Sequence, residues 1–225
     1  MRPKKTRTSG FMLKLDTILK KLNFKNRHNN RRNFRSMDTS DYDNWYYNRP
    51  QSKTYLKDRK IWTNQVDMIE CFEPDIVLEF GSGLGYALKE AETRGIKMIG
   101  CETSGYAIKN SICKTSMIQI GEIPEQCLPF LDNTFDLVFS SEVMEHVKEE
   151  HTTAVIRELY RICRKHILLT INTFDANQPG HINMHARDWW IDKFEAVGFE
   201  QNEEKYEKLS KMKYLNWDIF VFEKS

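Results

Sequence analysis

The run Ile76-Val77-Leu78-Glu79-Phe80-Gly81-Ser82-Gly83-Leu84-Gly85-Tyr86 constrains this chain more than any other stretch. An apolar segment of this length, bounded by turn residues, reads as a buried parallel strand. Three glycines on alternate positions follow, where the backbone must turn sharply and approach a ligand that a Cβ would hold off. Tyr86 to Arg94 then reads as a helix stopped by Gly95. Strand, glycine turn and helix together predict a nucleotide-type site at the carboxyl edge of a parallel sheet.

The spacing narrows the nucleotide. A dinucleotide fingerprint needs glycine three residues after Gly83, and Tyr86 stands there. A phosphate-cradling loop would close on Gly-Lys-Ser/Thr, and none follows. The pattern E-x-G-x-G-x-G, with Glu79 two residues before the first glycine, resembles motif I of the class I S-adenosylmethionine-dependent methyltransferases. The resemblance implies that S-adenosylmethionine is bound along Glu79, Phe80, Gly81, Ser82, Gly83 and Gly85.

Further matches follow in order. A second strand over Lys97 to Cys101 ends in Glu102-Thr103, about 20 residues past the glycines, where an acid can accept both ribose hydroxyls. The same acid would also suit the start of a helix near Ser104. Met117 to Ile120 reads as a third strand, followed by Gly121-Glu122-Ile123. In the family an acid in this turn accepts from the adenine amino group, and the resemblance gives that part to Glu122, although Asp is usual there. Leu128-Pro129-Phe130 through Ser140-Ser141 resembles the family's segment leading into the fourth strand, whose end, with Ser140, faces the transferred methyl. The likeness spans roughly residues 75–147.

The remaining periodicities complete an α/β pattern. A helix is expected over Lys53–Phe72, another over Thr152–Arg164, and a strand over His166–Asn172. Ala186–Val197 reads as a helix stopped by Gly198, and Tyr214–Phe222 as a last strand. Alternating strands and helices predict a Rossmann-like doubly wound sheet with helices on both faces. The resemblance adds seven strands with the last one antiparallel. Asp41 to Pro50 carries Tyr42, Trp45, Tyr46 and Tyr47; the preferred reading makes them the apolar side of an N-terminal helix packed on the sheet, with a lid over cofactor or substrate as the alternative.

Charge divides the chain. Residues 1–35 hold 12 Lys/Arg and one acid, whereas the remainder holds 22 basic and 31 acidic residues. Residues 1–36 are therefore expected as a flexible basic extension before a methyltransferase domain over 37–225. Phe11, Leu15, Ile18, Leu19 and Leu22 recur at helical spacing, a pattern suited to an anionic membrane or nucleic acid, and an Arg-rich start can also be a transit peptide. The five cysteines form no C-x-x-C and point to a reducing, cytoplasmic setting. No apolar run is long enough to cross a membrane.

Methyl transfer to oxygen requires the hydroxyl proton to be removed or its pKa lowered, by a base or a metal. Ser141-Glu142-Val143-Met144-Glu145-His146-Val147 offers both. A helix beginning near Glu142 would put Glu142, Glu145 and His146 on one face. This E-x-x-E-H pattern resembles two O-methyltransferase branches that hold a divalent ion there, the small-RNA 2′-O-methyltransferases and the ubiquinone-pathway enzymes. By that resemblance His181 is a further ligand, with His185 as a second candidate, and Mg²⁺ or Mn²⁺ the ion. Metal-free relatives carry a similar helix, so His181 and His146 also stand as plain catalytic groups. His151 and His166 are expected to be structural.

Gly180-His181-Ile182-Asn183, followed by Trp189-Trp190-Ile191, resembles methyltransferases encoded among glycan-building genes. The chain is thus expected to be an O-methyltransferase acting on a sugar or glycan hydroxyl. The alternatives are an RNA ribose 2′-hydroxyl, which the acidic domain disfavours, and a small ubiquinone-type molecule.

Overall fold

The computed structural model describes residues 42–175, 178–212 and 217–224. The basic extension, with its amphipathic pattern over residues 11–22, lies outside the described residues.

Seven strands make one sheet: β1 (Val77–Phe80), β2 (Met98–Glu102), β3 (Met117–Gln119), β4 (Phe135–Ser141), β5 (Cys163–Ile171), β6 (Phe199–Gln201) and β7 (Asp218–Lys224), in the order β3-β2-β1-β4-β5-β7-β6. β1 lies parallel between β2 and β4, and β7 runs antiparallel to both β5 and β6. The last strand is the reversed one, as the resemblance implied.

Helices cover both faces, and strand alternation serves each in turn. Leu78, Phe80, Ile167, Leu169, Phe220 and Phe222 pack with α6 (Glu149–Ile162) and α7 (Arg187–Glu195). Val77, Leu137, Phe139, Leu168, Ile219 and Val221 pack with α3 (Arg59–Glu70), α4 (Tyr86–Thr93) and α8 (Glu203–Ser210). Because both faces are buried, Leu137-Val138-Phe139 within β4 is apolar at successive positions rather than alternating.

Several elements differ from expectation. The helix expected over Lys53–Phe72 is two, α2 (Pro50–Lys57) and α3, broken at Asp58. Asp58 sits in extended backbone and its carboxylate caps Lys60 N–H, a local bond that competes with helix continuation. Thr152–Arg164 also shifts: α6 starts at Glu149 and ends at Ile162, with Cys163 already opening β5. β6 and α8 escape the sequence reading because three strand residues and a strongly charged helix carry little periodic signal. The start of the strand expected at Tyr214 lies outside the described residues.

Candidate active site

The strand order reverses about β1, so loops leaving β1, β2 and β4 diverge around a crevice at the carboxyl edge. The first is the glycine turn. Gly81 has φ +78°, and a Cβ there would lie 2.4 Å from Val143 Cγ2, so no larger residue fits without moving the loop after β4. Gly83 has φ +51°, and among the described residues a Cβ there would meet only Tyr47, its hydroxyl oxygen at 3.9 Å.

Two buried acids flank this turn. Glu79 stands one residue before the end of β1, and among the described residues its Oε2 has no hydrogen-bond partner. Burial pushes its carboxyl up, with the Glu102 charge adding to the effect. Glu102 ends β2 and accepts from Gly83 N–H (2.7 Å) and Ser104 N–H (2.8 Å). Burial raises its pKa too, opposed by those donors. Thr103 Oγ1 also donates to Glu102 (3.3 Å). Ser82 and Ser140 turn inward instead: Ser82 Oγ donates to Cys101 C=O and Ser140 Oγ to Phe80 C=O (2.9 Å). Phe80 is buried between β1 and the helices, and Gly85 caps α4. Gly121, Glu122 and Ile123 follow β3, where Ile120 N–H donates to Glu102 C=O and Gln126 N–H to Glu122 C=O.

The segment after β4 does not form the expected helix. Glu142 has φ +56°, and only Met144–His146 makes a single 3₁₀ turn. That turn brings Glu145, His146 and His181 together, with one ligand atom of each within 4.8 Å of the others. Glu142 stands behind this group. Its N–H donates to Thr170 C=O (2.9 Å), and its charge bears on the buried Glu145 carboxyl. Burial pushes Glu142 up to about 8, and burial with the Glu142 charge pushes Glu145 well up. Two neighbouring buried carboxyls do not ionise independently of each other. The strained backbone at Glu142 is what allows it to meet Glu145 rather than share a helical face.

The loop after β5 supplies His181 and is fastened from both sides. Ile182 and Asn183 N–H donate to Glu145 C=O (3.0 Å each), and Asn183 Nδ2 donates to Thr152 Oγ1 on α6. His146 Nδ1 lies 2.8 Å from Gly180 C=O, and His181 Nδ1 lies 2.8 Å from Asp175 C=O. A carbonyl only accepts, so each Nδ1 carries the proton and each Nε2 keeps a free lone pair. The rings meet edge-on at 4.8 Å. Burial, and the neighbouring His181, lower His146 to about 3, and burial lowers His181. His185 lies apart, paired with Glu149 (3.1 Å) and stacked on Trp189.

Sequence reasoning preferred to place Tyr42, Trp45, Tyr46 and Tyr47 on the sheet. The structure puts this segment, with α1 (Asn44–Asn48), across the carboxyl-edge loops. Tyr42 shares His146 Nδ1 at 2.7 Å and accepts at its carbonyl from Ser104 Oγ (2.5 Å). Tyr47 stacks on Tyr106 at 5.6 Å. The spacing of three tyrosines within six residues was the available signal. Gln65 of α3, which donates to Ser141 Oγ (2.9 Å), had none.

Residues 78–171 match the model of a family described as a methyltransferase domain. By that match the chain carries a methyltransferase domain. The fold recurs in a SAM-dependent methyltransferase from Archaeoglobus fulgidus, at 16% identity and TM-score 0.62, over 81% of this chain and 100% of that one. It recurs in a putative methyltransferase of Haloferax volcanii complexed with its activator Trm112, at 18% identity and TM-score 0.59, over 84% and 99%. A Haemonchus contortus phosphoethanolamine N-methyltransferase solved with S-adenosyl-L-methionine is similar at 16% identity and TM-score 0.57, over 84% and 60%. No curated protein sequence matches the chain significantly. The residues of this crevice are compatible with S-adenosylmethionine: among the described residues Glu79 Oε2 has no hydrogen-bond partner, and a Cβ at Gly83 would meet only Tyr47.

Proposed function

We propose that this methyltransferase transfers a methyl group to a hydroxyl of a sugar or glycan, with His181 and its neighbours acting on the hydroxyl. The observation that carries this reading is the pair of imidazoles whose Nδ1–H groups are spent on backbone carbonyls. Both rings are neutral and offer Nε2 lone pairs beside Glu145. A hydroxyl acceptor must lose its proton as the methyl arrives, and this basic apparatus can take it.

Bound S-adenosylmethionine would supply an electrophilic methyl on a sulfonium. Glu79, Gly81, Gly83 and Glu102 would hold its amino-acid and ribose parts, and Gly121, Glu122 and Ile123 its adenine. On the acceptor side His181 is the base. His146, held down to about 3, is too weak a base and serves to orient or ligate. A divalent ion such as Mg²⁺ or Mn²⁺ on Glu145, His146 and His181 would lower the hydroxyl pKa, and the two-nitrogen, one-oxygen donor set suits it. The glycan reading rests on the G-H-x-N segment and on the acidity of the chain beyond residue 35.

The test is transfer of labelled methyl to neutral glycans, sugar phosphates, RNA oligonucleotides and amines. Label in sugar hydroxyls is the expected outcome; label confined to RNA or amines would overturn the reading. His181→Ala should cost about 10²–10⁴ in rate while S-adenosylhomocysteine binding persists. EDTA abolishing turnover, with rescue by Mg²⁺ or Mn²⁺, identifies a metal mechanism; indifference to EDTA identifies His181 as a plain general base.

A further inference from the structure

Arg49 joins α1 to α2 and leaves most of its guanidinium unused. Its Nε donates to Ser52 Oγ (2.8 Å), and its Cζ lies 4.3 Å from the Tyr46 ring centre and 5.7 Å from that of Trp45. The terminal nitrogens carry four more N–H donors. Among the described residues no hydrogen bond or ion pair engages them, although Glu79, Glu102, Glu142 and Glu145 all belong to this site. A partly buried arginine ordinarily ends on a carboxylate, because its planar fork fits one.

Ring contacts lead from Arg49 to the reacting groups. Tyr46 meets Tyr42 at 4.7 Å, the Tyr42 hydroxyl meets His146, and His146 meets His181. We propose that Arg49 anchors an anionic group of the acceptor, a phosphate or a carboxylate, and thereby makes the acceptor an acidic sugar. This rests on the reading above that the His146–His181 side receives the acceptor.

Arg49 could instead hold the carboxylate of the cofactor, and the experiment separates the two. Glucose 1-phosphate, glucuronate and neutral methyl glucoside are titrated calorimetrically into full-length protein saturated with S-adenosylhomocysteine. At least one anionic probe should bind about tenfold or more tighter than the glucoside, and which one tells phosphate from carboxylate. Arg49→Gln keeps the plane and removes the charge, and should weaken that probe about tenfold or more, with Arg49→Lys intermediate. S-adenosylhomocysteine affinity should not change. The proposal is overturned if the anions bind Arg49→Gln as they bind wild type, or if no anion outbinds the glucoside. It is also overturned if Arg49→Gln weakens S-adenosylhomocysteine but spares 5′-methylthioadenosine, which lacks the carboxylate. Anion binding that depends on Arg49, with no methyl transfer to any sugar hydroxyl, would overturn the hydroxyl reading alone.

Discussion

At the scale of single residues, the sequence revealed which groups meet but not how. Glu142, Glu145, His146 and His181 were all readable as one constellation from E-x-x-E-H and G-H-x-N. Their division into a cluster of three with Glu142 behind depends on one left-handed residue, and a glutamate gives no sequence sign of φ +56°. The division has a consequence for stability. Glu142 is raised from the usual carboxylate range to about 8, so the folded protein binds more protons there than the unfolded chain. A raised folded pKa contributes stability fully below the unfolded value and loses it as pH rises towards about 8. His146 acts oppositely: its lowered value removes stability as pH falls from 6.5 towards about 3. In EDTA, the melting temperature of wild type relative to Glu142→Gln should therefore fall as pH rises from about 5 to about 8. Parallel melting profiles for the two proteins would show that burial does not raise the Glu142 carboxyl.

At the scale of elements, long periodic segments were readable and short ones were not. β1 and α4 were correctly anticipated, because an apolar run and a glycine stop fix them regardless of context, and β4 was anticipated through the family resemblance. The 3₁₀ turn after β4 and the break at Asp58 are set by tertiary bonds that composition does not carry. The aromatic segment before Pro50 is the most consequential case. Its tyrosines read as ordinary core residues, yet they contact His146, Ser104 and Tyr106 rather than the strands. Tyr47 also stands over Gly83. A chain beginning at Pro50 should stay folded, since both core clusters lie beyond it, but should bind S-adenosylhomocysteine about tenfold or more weakly. Calorimetry checks the affinity and circular dichroism the fold. Unchanged affinity would mean that α1 covers the site without contributing to it.

At the scale of the whole molecule, the chain joins a net-acidic domain that carries the proposed site to a segment of opposite charge. Every residue assigned to the site lies between Tyr42 and His181, whereas 12 basic residues precede Ser36. A cation-rich segment binds anionic surfaces by releasing counterions, so its affinity falls steeply as salt rises. Catalysis by enclosed groups is screened much less. The two properties should therefore separate under truncation. A chain beginning at Met37 should keep the turnover number of the full protein on the same acceptor. It should also lose whatever affinity the full chain has for anionic vesicles or nucleic acid, along with that affinity's salt dependence. Sedimentation with vesicles at rising salt, beside steady-state kinetics on both chains, measures the two at once. A folded Met37 chain with depressed turnover would place the basic segment within the catalytic apparatus and undo the separation.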